Sequence, residues 1–313
     1  MIARVLMGLW PADGPTQDDL SLNEIFRHDS YLRALPQQQK NIRRASSQFR
    51  FEEEESKPFW LLYFKDFRKP HPFTADLHGK LVLDFGCFTG GRGVAWAKRY
   101  GIAHLFGCDI NAIYIQAATE FATSHKIPNT FRVVNDDGTI PFADHSMDTV
   151  VTFEVLEHVD DVERCLKEMC RVVKPGGHLY IVFPQFHQPL ESHLGFTTKM
   201  PGLQSIIPSK RLAKAFYDVI DSRPDSDWYR PAPQQPWERL PRLNGITRRR
   251  FMKLLKQLPL EILYQNQDPI LSKGKSWPNV RRFAVVPFLR TLLAMHLFDE
   301  FLLDRIAIVC RRT

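Results

Sequence analysis

The chain has 313 residues, of which 44% are hydrophobic and 25% are charged, and its formal net charge is +7. Such values exclude a disordered or low-complexity chain, and the length suits one domain with insertions and a large buried core. No uncharged run approaches the roughly 20 apolar residues needed to span a bilayer, and the N-terminus lacks the long apolar region of a signal peptide. We therefore expect a cytoplasmic protein.

The positive charge is a weak guide to a partner. Basic residues are scattered, with short clusters at positions such as 248–250, 281–282 and 311–312. A scattered excess is typical of a solvated surface, so nucleic acid is disfavoured as a partner. The five cysteines form no C-x-x-C pair, and no His, Cys, Asp or Glu group has metal-ligand spacing. We predict no metal site and a reducing compartment.

Residues 1–70 are predicted to form an N-terminal helical extension. Ser21 and Glu24 are spaced as the capping box of a helix that runs to Leu35. A second helix is predicted to begin at Phe51, where the glutamates at 52–55 would complement the helix dipole. The aromatic residues that follow are expected to pack against the core, and lining a substrate mouth is the alternative.

Residues 81–93, with the sequence LVLDFGCFTGGRG, form the central motif. The apolar run at 81–83 predicts a strand buried on both faces. The glycines after it predict a tight turn in which the backbone can approach a ligand. A helix predicted at 94–100 would direct its free N–H groups into that turn.

The next segments repeat a strand–helix pattern. A strand at 104–108 is followed by Asp109, about 20 residues past the turn, where a carboxylate can accept hydrogen bonds from two ribose hydroxyls. The remaining elements are predicted as helices at 112–124 and 161–173 and strands at 131–135, 149–153 and 178–183. This alternation predicts an α/β fold with a parallel sheet and helices on both faces.

Four motifs in this region resemble those of class I S-adenosylmethionine-dependent methyltransferases that act on small molecules. They are VLDFGCFTGGRG, GCDIN, NDDGTIPFADHSMDTVVTFEVLEHVDD and EMCRVVKPGGHLYIVFP. The resemblance covers residues 79–184 and implies S-adenosylmethionine as the cofactor. It also implies a Rossmann-like, doubly wound, seven-stranded sheet whose last strand is antiparallel, with N-terminal helices and a cap insertion.

The same resemblance assigns residues to the cofactor. In the family, the acid matching Asp84 and the glycine turn hold the methionine end, and the acid matching Asp109 holds the ribose. The acid matching Asp136, with its neighbour Asp137, borders the adenine. The full set of positions is Asp84, Gly86, Cys87, Gly90, Asp109, Ile110, Asp136, Asp137 and Glu154.

Phe88 departs from the family pattern, which has glycine at this position. The departure puts the shape of the turn in question, while Gly86 and Gly90 are kept. It also disfavours a dinucleotide fingerprint, G-x-G-x-x-G, which is broken at its second glycine.

The predicted chain has four parts. They are the extension 1–70, the S-adenosylmethionine-binding core 71–184, a substrate cap insertion 185–245, and 246–313 as the C-terminal part of the core with a helical lid. The cap is rich in proline and contains a helix at 209–220. The last part has a helix at 247–258 and strands at 261–265 and 306–310. Residues 280–303 are expected to be a packed helix, with a lid, a dimer contact or a peripheral membrane contact as alternatives.

Methyl transfer requires above all that the acceptor be positioned against the methyl group. A hydroxyl acceptor also needs a base, and histidine is the usual candidate because it titrates near neutrality. Three histidines lie near the predicted rim of the site: His158, His193 and His187. His158 is best placed, since some relatives use the histidine of a matching Glu-His pair.

The predicted function is O-methylation of a small metabolite, sugar or lipid-linked head group, so the partner is a small-molecule or glycan acceptor. The chain lacks the Asn/Asp-Pro-Pro-Tyr/Phe box of adenine and glutamine N-methylation and has no cysteine after a proline. An RNA methyltransferase and a non-catalytic cofactor-binding subunit are the alternatives. The sequence gives no prediction of the oligomeric state.

Overall fold

In a computed structural model of the chain, the structure describes residues 2–9, 36–58, 61–64, 73–190, 198, 200–221, 243–266, 268–270, 284–295 and 298–313. The helix predicted to begin at Ser21 and the candidate base His193 lie outside these residues.

Seven strands form one sheet. They are β1 (Leu81–Phe85), β2 (His104–Asp109), β3 (Asn129–Val133), β4 (Met147–Phe153), β5 (Val173–Phe183), β6 (Leu260–Gln265) and β7 (Ile306–Arg312). The order is β3-β2-β1-β4-β5-β7-β6, and β7 is antiparallel to both β5 and β6. The predicted fold class, with its antiparallel last strand, is confirmed. The strand order reverses between β1 and β4, which is where open α/β sheets bind ligands.

Helices cover both faces of this sheet. They are α1 (Ile2–Leu9), α2 (Pro36–Ser56), α3 (Leu61–Phe64), α4 (Phe73–Leu77), α5 (Gly91–Tyr100), α6 (Ala112–Ser124), α7 (Val162–Val172), α8 (Leu203–Ile206), α9 (Ser209–Asp221), α10 (Arg248–Leu255), α11 (Val286–Ala294) and α12 (Asp299–Leu302). Because successive strand residues point to opposite faces, Val82 and Leu83 enter two different hydrophobic clusters.

The N-terminal helix α2 corrects one prediction. It begins at Pro36 and ends at Ser56, so the glutamates at 52–55 lie at the end of a helix and not at its start. Proline suits a first helical turn because its fixed φ is helical and its missing N–H would have had no partner there. The aromatic residues Tyr63 and Phe64 of α3 are buried in the core, as predicted.

The cap includes the predicted helix, observed as α9. Met7 of α1 packs into a small cluster with the cap residues Leu212 and Phe216, so α1 contributes to the cap although it lies at the other end of the sequence. The cap is tied back to the core where the backbone N–H of Phe186 donates to the carbonyl of Ile246 at 2.9 Å.

The segment predicted as a packed helix, 280–303, contains α11 and α12 in its described part. Leu293 and Leu303 are buried in the core, whereas Phe288, Met295 and Phe298 are more than 60% exposed. The segment therefore packs by one face and presents apolar side chains on another. No helix in the described part of the chain is long and apolar enough to cross a membrane.

Candidate cofactor and acceptor site

The turn after β1 is closed against β2. The backbone N–H groups of Gly86 and Cys87 both donate to the carbonyl of Cys108, at 2.8 and 3.1 Å. Gly86 has a φ of +78°, and a Cβ there would lie 2.2 Å from Cγ2 of Val155 in the loop after β4. Only glycine fits this position, because the loops after β1 and β4 nearly touch.

Phe88 keeps the left-handed backbone that glycine would adopt more readily, with a φ of +49°. Its N–H donates to Oδ2 of Asp109 at 3.1 Å, and its ring contacts Tyr114 of α6 edge-on with centroids 4.5 Å apart. The left-handed conformation costs a side-chain-bearing residue about 1–2 kcal/mol, and these two contacts offset that cost. The departure from the family pattern therefore leaves a compact turn of the expected kind.

Asp109 ends β2 with its carboxylate fixed in place. One oxygen accepts from the N–H of Phe88, and the other accepts from the N–H of Asn111 at 3.1 Å. Each oxygen retains a lone pair for a further donor. Burial raises the pKa of Asp109, while the backbone hydrogen bonds oppose the increase. Beside it, Ile110 is 84% exposed and offers a flat apolar surface at the rim.

Asp84 lies at the centre of the sheet edge, in register with Gly107 of β2 and Val151 of β4. Burial raises the pKa of its carboxyl to about 7, with Asp109 and Glu54 adding to the increase and Arg92 opposing it. A buried carboxylate with this pKa is stabilised in its charged form by any cation that binds beside it.

The helix α2 closes the turn from one side. Ser47 Oγ donates to the carbonyl of Thr89 at 2.8 Å, and a Cβ on Gly91 would lie 2.1 Å from the carbonyl oxygen of Ser47. Glu53 and Glu54 lie 3.7 and 3.8 Å from the guanidinium of Arg92 in α5. The glutamates thus belong to the charge network around Asp84.

On the other side of the switch point, Glu154 follows β4 with a φ of +57°. Its carboxylate is ion-paired with Arg305, whose Nη1 lies 2.5 Å away, and the Arg305 guanidinium lies 5.9 Å from the centroid of the Tyr63 ring. The predicted cofactor-side residue is therefore held by an arginine that immediately precedes β7.

His158 lies at the rim of the same edge. Its Nε2 is 3.6 Å from Oε1 of Glu157, and the side chains of His158 and Glu157 are 33% and 3% exposed. The loop that carries both residues is fastened by Asn244, whose Nδ2 donates to the carbonyls of Leu156 and Val159 at 2.6 and 2.7 Å. His158 thus has a buried carboxylate beside it and one accessible side.

The other predicted site residues have different surroundings. His187 Nδ1 lies 3.0 Å from Ser205 Oγ, and its ring is 5.4 Å from that of Phe301, which places it in the cap. Asp137 accepts from the N–H and the hydroxyl of Thr139, and these bonds lower the pKa of its carboxyl. Asp137 therefore stabilises the turn that follows β3, and Asp136 beside it is exposed.

The cysteines near the turn are unsuited to nucleophilic chemistry. Cys87 and Cys108 are buried, and burial raises the pKa of both thiols well above the ordinary value. Within the described ranges, no group of three or more His, Cys, Asp and Glu side chains could hold a metal ion.

Comparison with known proteins identifies the family. The model of the methyltransferase domain matches residues 83–181, which run from β1 through β5 and include both sides of the switch point. Residues 83–181 therefore form a class I S-adenosylmethionine-dependent methyltransferase domain, of the type that acts on small molecules.

Individual relatives of this methyltransferase cover different parts of it. Norajmaline N-methyltransferase of Rauvolfia serpentina is 27% identical over 245 residues, covering 75% of this chain and 76% of the relative. The chloroplastic tocopherol O-methyltransferase of Arabidopsis thaliana is 31% identical over 140 residues, covering 44% of this chain but only 38% of the relative. Among solved structures, the PH0226 protein of Pyrococcus horikoshii OT3 is 17% identical, with coverage of 85% and 91% and a TM-score of 0.46.

The residues of the methyltransferase fit S-adenosylmethionine. Asp109 would offer charged acceptors to ribose hydroxyls, Ile110 would offer an apolar surface to the adenine, and buried Asp84 would offer a counter-charge to the cationic methionine end. Gly93 gives Asp84 its space, because a Cβ there would lie 3.0 Å from Asp84 Oδ2.

Several neighbours of this site escape prediction from sequence. They are Glu53, Glu54, Arg92, Glu157, Asn244 and Arg305. Glu157 alone has a local signal, its place in the Glu-His pair. Arg92 lies in the central motif itself, where no pattern marks its role. Glu53, Glu54, Asn244 and Arg305 are brought to the site by helices or loops that lie far away in the sequence.

The ionisation of Asp84 predicts a pH effect on stability. Its pKa is about 7 in the folded protein against 3.8 ordinarily, so between these values the folded state holds a proton that the unfolded state has released. Stability must then fall as the pH rises through this window. We expect Asp84→Asn to remove this decrease, a gain of about 2–4 kcal/mol near pH 8. Urea denaturation from about pH 5 to about pH 8 measures it, and an unchanged slope in the variant would contradict the assignment.

Proposed function

We propose that this methyltransferase methylates a hydroxyl oxygen on a small metabolite, a sugar or a lipid-linked head group. The observation that carries the proposal is the pairing of His158 with the buried carboxylate of Glu157 at the acceptor rim. The names of related proteins include N-, C- and O-methyltransferases, so sequence similarity alone does not identify the acceptor atom.

A base beside the acceptor favours oxygen over the alternatives. A neutral alcohol is a poor nucleophile, and removing its proton during attack accelerates the reaction by typically about 10²–10⁴-fold. The buried Glu157 carboxylate favours an orientation of the imidazole and stabilises the imidazolium that forms when His158 accepts a proton. The partly exposed ring leaves room for an acceptor.

The division of labour among the residues follows from their positions. When bound, S-adenosylmethionine supplies a methyl group activated by the positive charge on sulfur. Asp109 orients the ribose end and Asp84 holds the cationic end, which fixes the direction in which an acceptor must approach. His158 removes the proton from the acceptor hydroxyl, and the Glu154–Arg305 ion pair supplies a polar wall near the methyl site.

Isotope transfer tests the proposal directly. The full chain is incubated with S-adenosylmethionine carrying a carbon-13 methyl group and with separate aqueous and lipid extracts, and labelled products are found by mass spectrometry. We expect a labelled product whose methyl resonance is that of a methoxy group. The Asp109→Ala variant serves as the control without cofactor binding. A label on nitrogen or carbon would overturn the assignment of the acceptor atom.

A further inference from the structure

A groove on the C-terminal part of the chain combines basic and aromatic side chains. It encloses about 610 Å³ between α10 and α12, and we call it the α10–α12 groove. The residues that define it here are Arg249, Met252, Lys253, Lys256, Phe298 and Phe301.

The charge of the α10–α12 groove is positive because its acidic residues are engaged. Asp299 is ion-paired with Arg248 at 3.0 Å. The carboxylate of Glu300 accepts from the backbone N–H groups of Arg248 and Arg249 at 2.9 and 2.6 Å, which caps the N-terminus of α10. Helix α10 itself carries four basic residues and no acidic one, and Lys256 follows directly. The groove therefore presents a surface complementary to anions.

Exposed apolar side chains lie in the groove and on the helix that contacts it. Phe298 and Phe301 line the groove, whereas Phe288 and Met295 lie on α11 and at its end, and α11 contacts α12. Phe288, Met295 and Phe298 are 63%, 62% and 65% exposed, and Phe301 is 42% exposed. Phe298 also has a left-handed φ of +63°, so a strained backbone presents its ring to solvent. Strained conformations of this kind cluster at functional sites, and water is a poor partner for four large apolar groups.

The groove adjoins the acceptor side of the site. The Phe301 ring lies 5.4 Å from His187, and Nε2 of Gln185 donates to the carbonyl of Asp299 at 2.9 Å. Both contacts fasten α12 to the loop that follows β5. A surface that binds at the groove would therefore lie next to the entrance for the acceptor.

We propose that the α10–α12 groove docks the enzyme on the surface of an anionic phospholipid bilayer. Exposed phenylalanines beside lysine and arginine are typical of proteins that lie in the lipid interface, and basic residues are attracted to anionic head groups. If the proposed function holds, docking brings a lipid-borne acceptor to the rim that carries His158.

Vesicle co-sedimentation of the full chain tests docking without using the cofactor. We expect binding to vesicles that contain phosphatidylglycerol, weak binding to phosphatidylcholine alone, and a decrease with added salt. Lys253→Glu with Lys256→Glu should weaken binding at least about tenfold. Phe298→Gly should also weaken it, and glycine suits the left-handed backbone of that position.

The controls alter equally exposed residues elsewhere. Ile206, 76% exposed on α8, is replaced with serine, and Lys126 with glutamate, and neither change should reduce binding. No pelleting with either vesicle, or full binding by the groove variants, would overturn the proposal. If the groove variants bind vesicles like the wild type but lose binding to RNA, the groove is a nucleic-acid site and the proposal is overturned. Because no methyl donor is present, a failure here is distinct from a failure of the O-methylation assay.

Discussion

Replacing Asp109 with alanine is expected to lower the affinity for S-adenosylmethionine by about 100-fold or more. A hydrogen bond to a charged acceptor contributes about 1.5–3 kcal/mol, and the loss of two ribose contacts gives at least this change. The carboxylate also accepts from the N–H groups of Phe88 and Asn111, so its removal loosens the turn as well. Titration calorimetry with S-adenosylhomocysteine measures the affinity in the absence of turnover.

Two variants separate the contributions of Asp109. Asp109→Asn keeps an amide oxygen for one backbone donor, and we expect a smaller loss than in the alanine variant. Glu120→Ala removes an exposed acid of α6 that bonds only with Gln116 in its own helix among the hydrogen bonds described and is not among the predicted cofactor residues, so the affinity should be unchanged. Unchanged binding by a folded Asp109→Ala protein would show that the ribose is held elsewhere.

The core of this fold could be predicted because its signals are local. The helix predicted at 112–124 is observed as Ala112–Ser124, since a cap residue, Asn111, starts it and apolar spacing continues it. The strand predicted at 178–183 begins earlier, at Val173, because residues 173–177 join the sheet through a register shift opposite Met147 and Thr149. The hydrophobic pattern of the strand itself gives no sign of such a register shift between two strands.

The charge network of the site could not be predicted, because its members are far apart in the sequence. Glu154 and Arg305 are separated by 151 positions. The family motif marks Glu154, but nothing in the local sequence marks Arg305 as its partner. The glutamates of α2 led to a wrong helix start, since a run of acids fits a helix N-terminus better than its end. Two of them, Glu53 and Glu54, lie near Arg92 of α5, and this tertiary contact outweighs the dipole preference.

Phe88 shows a different limit of sequence patterns. The glycine of the family pattern marks a position with a left-handed backbone. Phe88 has the same backbone conformation, and its contacts with Asp109 and Tyr114 offset the conformational cost of its side chain. A pattern records residue types, whereas the site depends on conformation. The substitution therefore gives no support to the interpretation of a non-catalytic subunit.

The second large effect is expected at His158, where alanine should lower kcat by about 10²–10⁴-fold. The affinity for S-adenosylhomocysteine should stay within a few-fold, because the role proposed for His158 is toward the acceptor and not toward the ribose or methionine end. A base must be neutral to accept a proton, so the wild-type rate falls at acidic pH and the variant should lose this dependence. The assay needs saturating cofactor, since the raised pKa of Asp84 makes cofactor binding itself depend on pH.

Matched substitutions decide whether His158 acts as the base. His145→Ala removes an exposed histidine at the opposite edge of the sheet, before β4, and should leave kcat unchanged. Glu157→Gln keeps the shape of the neighbour but removes its charge, which should lower kcat less than His158→Ala and weaken the stabilisation of the imidazolium. If His158→Ala retains the wild-type rate and pH profile while His187→Ala does not, the proton goes to the cap and the pairing with Glu157 only shapes the loop. A rate that depends on both His158 and Glu157 would instead show that His158 takes the proton and that the buried carboxylate of Glu157 supports it.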